Sequence, residues 1–97
     1  MSITSIEPIP ATFTRDGYIS TLLKRTLMVK LWQRTRRDVL PHWEVAILQT
    51  RPAANVFGKN YPAREIMPTT ESWGMYGWTY GTLADAQRRF AREVAGQ

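Results

Sequence analysis

Apolar and polar positions alternate with two different periods along this chain, and the clearest lies near the C-terminus. From Leu83 to Val94 the apolar residues Leu83, Ala86, Phe90 and Val94 fall on one stripe at about 100° per residue, with Asp85, Arg88, Arg89 and Arg92 opposite. Thr82 stands at the N-cap position, and Asp85 at the third helical position suits the positive end of the helix dipole. The preceding run, Trp73-Gly-Met-Tyr-Gly-Trp-Thr-Tyr80, holds four aromatics and two glycines. It predicts a strand whose rings pack on a core while glycine admits a close neighbour. Trp78 and Tyr80 lead directly into the helix and are the expected core members.

Upstream the period is two. As a helix, Tyr18 to Arg37 would place apolar residues all round its axis; as strands, it sorts into faces. Ile19 to Leu23 form a first strand, Arg25-Thr26 a tight turn, and the next strand puts Leu27, Val29 and Leu31 on one face. Met28, Lys30, Trp32 and Arg34 make its other face. Arg36 to Pro41 reads as a connection ended by proline, and Trp43 to Thr50 as a third, central and most buried strand. Pro8 and Pro10 mark residues 1–12 as an extended leader, and Asp16-Gly17 as a turn follows it. Residues 51–71, with Pro52, Gly58, Pro62 and Pro68, cannot be one regular element; Pro62 suits the first turn of a short helix, Ala63 to Met67. The sum is an α+β domain spanning 13–97. It has an antiparallel sheet of about four strands and a C-terminal amphipathic helix packed on one face.

Ninety-seven residues allow one modest core. No cysteine is present, which excludes disulfides and thiolate metal sites. The N-terminus shows neither a basic start nor an apolar core, and no run approaches ~18 apolar residues, so a cytoplasmic protein away from membranes is expected. His42 is the single histidine, without carboxylates at metal-ligand spacing, and reads as structural. No nucleophile elbow or phosphate-cradling loop occurs. Glu44 reads as an exposed strand-face carboxylate, and Glu65 and Glu71 lie in the excursion. A non-catalytic protein without metal or cofactor is expected.

The formal charge of +5 is concentrated upstream: Lys24, Arg25, Lys30, Arg34, Arg36 and Arg37 stand between Asp16 and Asp38 with no acidic residue among them. Lys30, Trp32 and Arg34 on one strand face, with Arg36 and Arg37 beyond, make a candidate nucleic-acid or partner-binding surface. The same residues also suit a solvated face with Trp32 half covered by the excursion. Trp73 and Tyr76 are candidates for an exposed aromatic recognition surface.

His42-Trp-Glu-Val-Ala-Ile-Leu-Gln49, Tyr61-Pro62, Pro68 and the Trp-Gly-x-Tyr-Gly-Trp-Thr-Tyr run ahead of the helix resemble a group of small uncharacterised proteins from bacteriophages and mobile elements. The resemblance covers roughly residues 13 to 93. It implies a small phage protein acting in a bacterial cytoplasm, of the host-takeover or anti-defence kind that includes anti-CRISPR inhibitors, blocking a host or defence protein by binding it as monomer or homodimer. The alternative expectation is single-stranded nucleic-acid binding by the basic sheet face.

Overall fold

The computed structural model describes residues 8–26 and 28–96. The fold is α+β: a five-stranded antiparallel sheet with the helix on one face. In chain order the elements are β1 (Thr12–Arg15), β2 (Tyr18–Thr26), β3 (Val29–Arg36), β4 (Val39–Ile47), β5 (Gln49–Arg51), β6 (Ala54–Val56), β7 (Lys59–Tyr61), β8 (Arg64–Ile66), a 3-10 turn at Thr70–Ser72, β9 (Gly77–Tyr80) and α1 (Leu83–Ala95). The main sheet runs β1-β2-β3-β4-β9.

Asp16 and Gly17 both take positive φ, 54° and 80°, the pairing of a type I′ hairpin turn, which closes β1 on β2. The expected leader therefore ends early, because Thr12 already pairs with Thr21; residues 1–7 lie outside the described residues. The first long hairpin turns later than the sequence suggests. β2 runs through Arg25 and Thr26, and a register shift between Leu22 and Lys24 inserts Leu23 as an extra residue. Leu27, expected on the core face, lies outside the described residues.

Pro41 does not end a strand but sits inside β4. It is tolerated there because the β3–β4 ladder shifts register beside it, between Arg34 and Arg36, so no cross-strand bond needs its missing N–H. The central and most buried strand is β3, not the one from Trp43. Val29, Lys30, Leu31 and Trp32 are all buried, since β3 is covered on both faces.

One face carries the core. Val29, Leu31 and Val45 pack with Ala86 and Phe90 of α1, flanked by Trp43, Ile47, Trp78, Tyr80, Leu83 and Val94. The helix stripe and its cap are as the sequence predicts: Asp85 N–H donates to Thr82 Oγ1 at 3.2 Å. Arg89 departs from the solvent face. Its guanidinium lies 4.5 Å from the Trp78 ring and its Nε donates to the Tyr80 hydroxyl at 2.8 Å, capping the aromatic end of the core. The helix packs mainly on β3, β4 and β9, leaving Ile19 of β2 48% exposed.

The excursion holds the largest departures. Ala63 to Met67 is not a helix; β8 pairs with β5, and β6 with β7. Both ladders share one register, so the segment is a single long hairpin arm, interrupted where Pro52 and Pro62 remove backbone donors. Trp73 to Tyr80 is likewise not one strand. Gly74 at φ 94° turns the chain, Gly74 N–H donates to Gly77 O at 2.7 Å, and only Gly77–Tyr80 joins the sheet.

Candidate functional site

The second face of the sheet, read from the sequence either as a basic platform or as a solvated face with Trp32 half covered by the excursion, is closed over Lys30 and Trp32. Lys30 is fully buried and Trp32 is 1% exposed. Strand parity does place Lys30, Trp32 and Arg34 together opposite the helix, but the arm's root (β8) and the return segment that follows it, residues 67–76, fold over them. Lys30 Nζ meets Glu65 Oε1 of β8 at 2.6 Å, and the backbone N–H of Ile9 donates to the same oxygen at 3.1 Å. Burial raises the Glu65 carboxyl, but the hydrogen bonds from Lys30 and Ile9 and the charges of Lys30 and Arg25 outweigh it, so its pKa lies below the ordinary value.

Glu44, expected exposed, is 7% exposed, because Thr79 of β9 and Trp32 of β3 flank it in register. It accepts from Arg34 Nη1 at 2.8 Å, and His42 Nε2 lies 3.6 Å away. Arg34 also donates to Arg15 O at 3.2 Å and lies over the Tyr18 ring at 4.7 Å. His42 packs edge-on against Tyr18, with ring centroids 5.2 Å apart. Arg36 is exposed and lies over the same Tyr18 ring at 5.6 Å, and Arg37 is exposed beyond it; with Lys30 and Trp32 buried, the five basic-aromatic candidates do not form one surface.

The aromatic candidates also separate. Trp73 is half-buried, its Nε1–H donating to Thr79 Oγ1 at 3.0 Å and its ring lying on Gly77, where a Cβ would enter the indole. Tyr76 and Met75 are exposed at 37% and 66% on the turn that precedes β9.

Two features that sequence reasoning did not find stand out. The first is the arm: every residue from Gln49 to Pro62 is exposed. Phe57 at its tip is 103% exposed and adopts φ 52°, followed by Gly58 at φ 79°. The turn is held by Asn55, whose Oδ1 accepts from Gly58 N–H and whose Nδ2 donates to Asn60 Oδ1 at 2.7 Å. Phe57-Gly58 lacks the usual Asn-Gly spelling of this turn, yet glycine between alternating residues was a usable signal.

The second is a cleft of about 290 Å³ between the β1–β2 hairpin and the return segment. Ser20, Trp32, Arg34 and Glu44 lie in its floor, and Phe13 and Trp73 in its walls. Phe13 meets Trp32 edge-on at 5.0 Å between centroids. Among the described residues, no group of three or more His, Asp or Glu side chains is placed to hold a metal ion. Comparisons with protein-family models, curated proteins and solved structures find no match.

Proposed function

We propose that the protein is a non-catalytic binding module that recognises a partner protein through the tip of its hairpin arm. The observation that supports this most directly is Phe57, fully exposed in a left-handed conformation that a bulky side chain disfavours. Phe57 costs the fold stability and buries nothing in return, which is the pattern of a residue kept for contact. Val56 and Tyr61, 46% and 45% exposed, flank it, and by register they share an arm face with Lys59, whose Nζ lies 5.4 Å from the Tyr61 ring. Aromatic side chains are enriched at protein interfaces, and tyrosine is among the residues that dominate their energetic centres.

The titratable groups of the second face support a non-catalytic reading, since Lys30, Glu65, Arg34 and Glu44 are paired with one another. The resemblance to phage and mobile-element proteins makes a host or defence protein of the bacterial cytoplasm the partner of choice. Single-stranded nucleic-acid binding on an open sheet face loses its platform, because Lys30 and Trp32 are buried.

Placing a photo-reactive benzoyl-phenylalanine at position 57 in cells tests the reading. The expected result is one discrete crosslinked protein species, absent when the same group replaces Leu40, which is 87% exposed elsewhere. Identical adducts from both positions would overturn it.

A further inference from the structure

Away from its tip, the hairpin arm carries a second feature that works against its own stability. Arg51 and Arg64 are direct cross-strand partners in the β5–β8 ladder, and both are exposed. Like charges opposite one another on a strand pair are destabilising. Neither guanidinium has a carboxylate partner among the described residues. Glu65, the next residue, points to the other face of the arm, where Lys30 holds it. From Gln49 to Arg64 the arm bears three positive charges, Arg51, Lys59 and Arg64, and no negative one.

The missing counter-charge has to come from another molecule. Among the described residues every carboxylate except Glu71 already stands beside a basic side chain, so a second copy of this chain has little to offer. A run of phosphates also fits poorly. The three charges are widely spaced, with Pro52, Ala53 and Ala54 between them on one strand. Asn55 and Asn60, the side chains suited to reading base edges, are hydrogen-bonded to each other, and Asn55 also to Gly58.

On the reading of the arm as the partner-binding element, on which this inference rests, we propose that Arg51 and Arg64 clamp a carboxylate of the partner protein. A carboxylate between the two guanidinium groups replaces their repulsion with charge-assisted hydrogen bonds. Strand rise of ~3.3 Å per residue puts this clamp about 20 Å from Phe57. The partner is therefore a protein surface with an acidic segment at that distance from the apolar site that receives the tip.

Titration of the ¹⁵N-labelled full chain with a short synthetic peptide of glutamate and alanine, to about 5 mM so that a millimolar Kd is visible, tests the clamp. The Arg51 and Arg64 Nε correlations should shift and saturate. That of Arg92, equally exposed and without a carboxylate partner on the helix, should stay in place. The glutamine counterpart of the peptide should produce no shifts. Arg51→Glu turns the like-charge contact into an opposite-charge one, so it should not lower the melting temperature, yet should weaken peptide binding roughly tenfold. Should it not fold, Arg64→Gln removes one guanidinium without adding charge and should weaken binding in the same direction. In cells, Arg51→Glu should cut the adduct from position 57 roughly tenfold. An undiminished adduct overturns the clamp and leaves the tip reading standing, whereas saturating shifts without any discrete adduct leave the clamp and sink the tip. The proposal is also overturned by equal shifts at Arg92 or with the glutamine peptide, or by undiminished affinity in the variants. A short oligothymidylate that binds the two arginines more tightly than the peptide overturns it in favour of a nucleic-acid strand.

Discussion

Lys30 and Glu65, 35 positions apart in sequence, meet at 2.6 Å with the lysine side chain wholly buried, and this contact fastens the arm's root to the centre of the sheet. Removing one partner of a buried pair strands the other charge, so Glu65→Gln is expected to cost about 3–5 kcal/mol. Replacing both, as Lys30→Met with Glu65→Leu, is expected to cost much less than either single change. Urea denaturation of Lys30→Met, Glu65→Leu and the double variant checks this; additive losses would show that the pair is not coupled.

The same carboxylate sets a pH dependence. Its folded-state pKa is lowered, so the unfolded chain binds the proton more readily than the native one. The stabilisation is therefore present above the ordinary carboxylate pKa of about 4.3 and is lost as pH falls through the lower folded value. Denaturation midpoints followed from about pH 6 to about pH 2 should fall in wild type with a slope that Glu65→Gln reduces.

Gly77 is required by its neighbour. Gly77→Ala drives a methyl into the Trp73 indole and is expected to cost about 1–3 kcal/mol, as overpacking does. Trp73→Ala in the same chain should recover part of that loss. Thermal unfolding of the single and double variants measures it, and a neutral single variant would mean the indole moves aside freely.

Phe90 closes the core against Val29, Leu31 and Val45. Phe90→Ala is expected to cost about 3–5 kcal/mol, a large share of the ~5–15 kcal/mol of a small domain. An unchanged denaturant midpoint would show that the helix is not docked there.

At the arm tip the expected sign reverses. Asparagine accepts the left-handed conformation that phenylalanine resists, so Phe57→Asn should leave stability unchanged or raise it by up to about 1 kcal/mol. Capture of the partner protein by the tagged chain should be lost at the same time. A fall in melting temperature would mean that Phe57 packs on the fold.

What the sequence determined by itself was whatever depends on near neighbours. The stripe of Leu83, Ala86, Phe90 and Val94 and the Thr82 cap follow from spacings of three and four, and both stand in the structure. Alternation of Val29 and Leu31 against Lys30, Trp32 and Arg34 sorted the two faces of β3 correctly, and Asp16-Gly17 made its turn. Tertiary structure decided which face stays open. Lys30 and Trp32 carry the same local signal whether water or protein covers them, and the cover comes from Phe13 on the edge strand and from the distant Glu65, Met67 and Trp73. Residues 49–66 could not be read as a hairpin, because Pro52 and Pro62 forbid a regular strand, and only their falling in the same gap of a common register lets the ladder resume beyond them. The arm tip and the cleft are products of that long-range pairing. Side-chain periodicity reports a residue's own strand or helix, while burial is set by whatever segment the rest of the chain lays upon it.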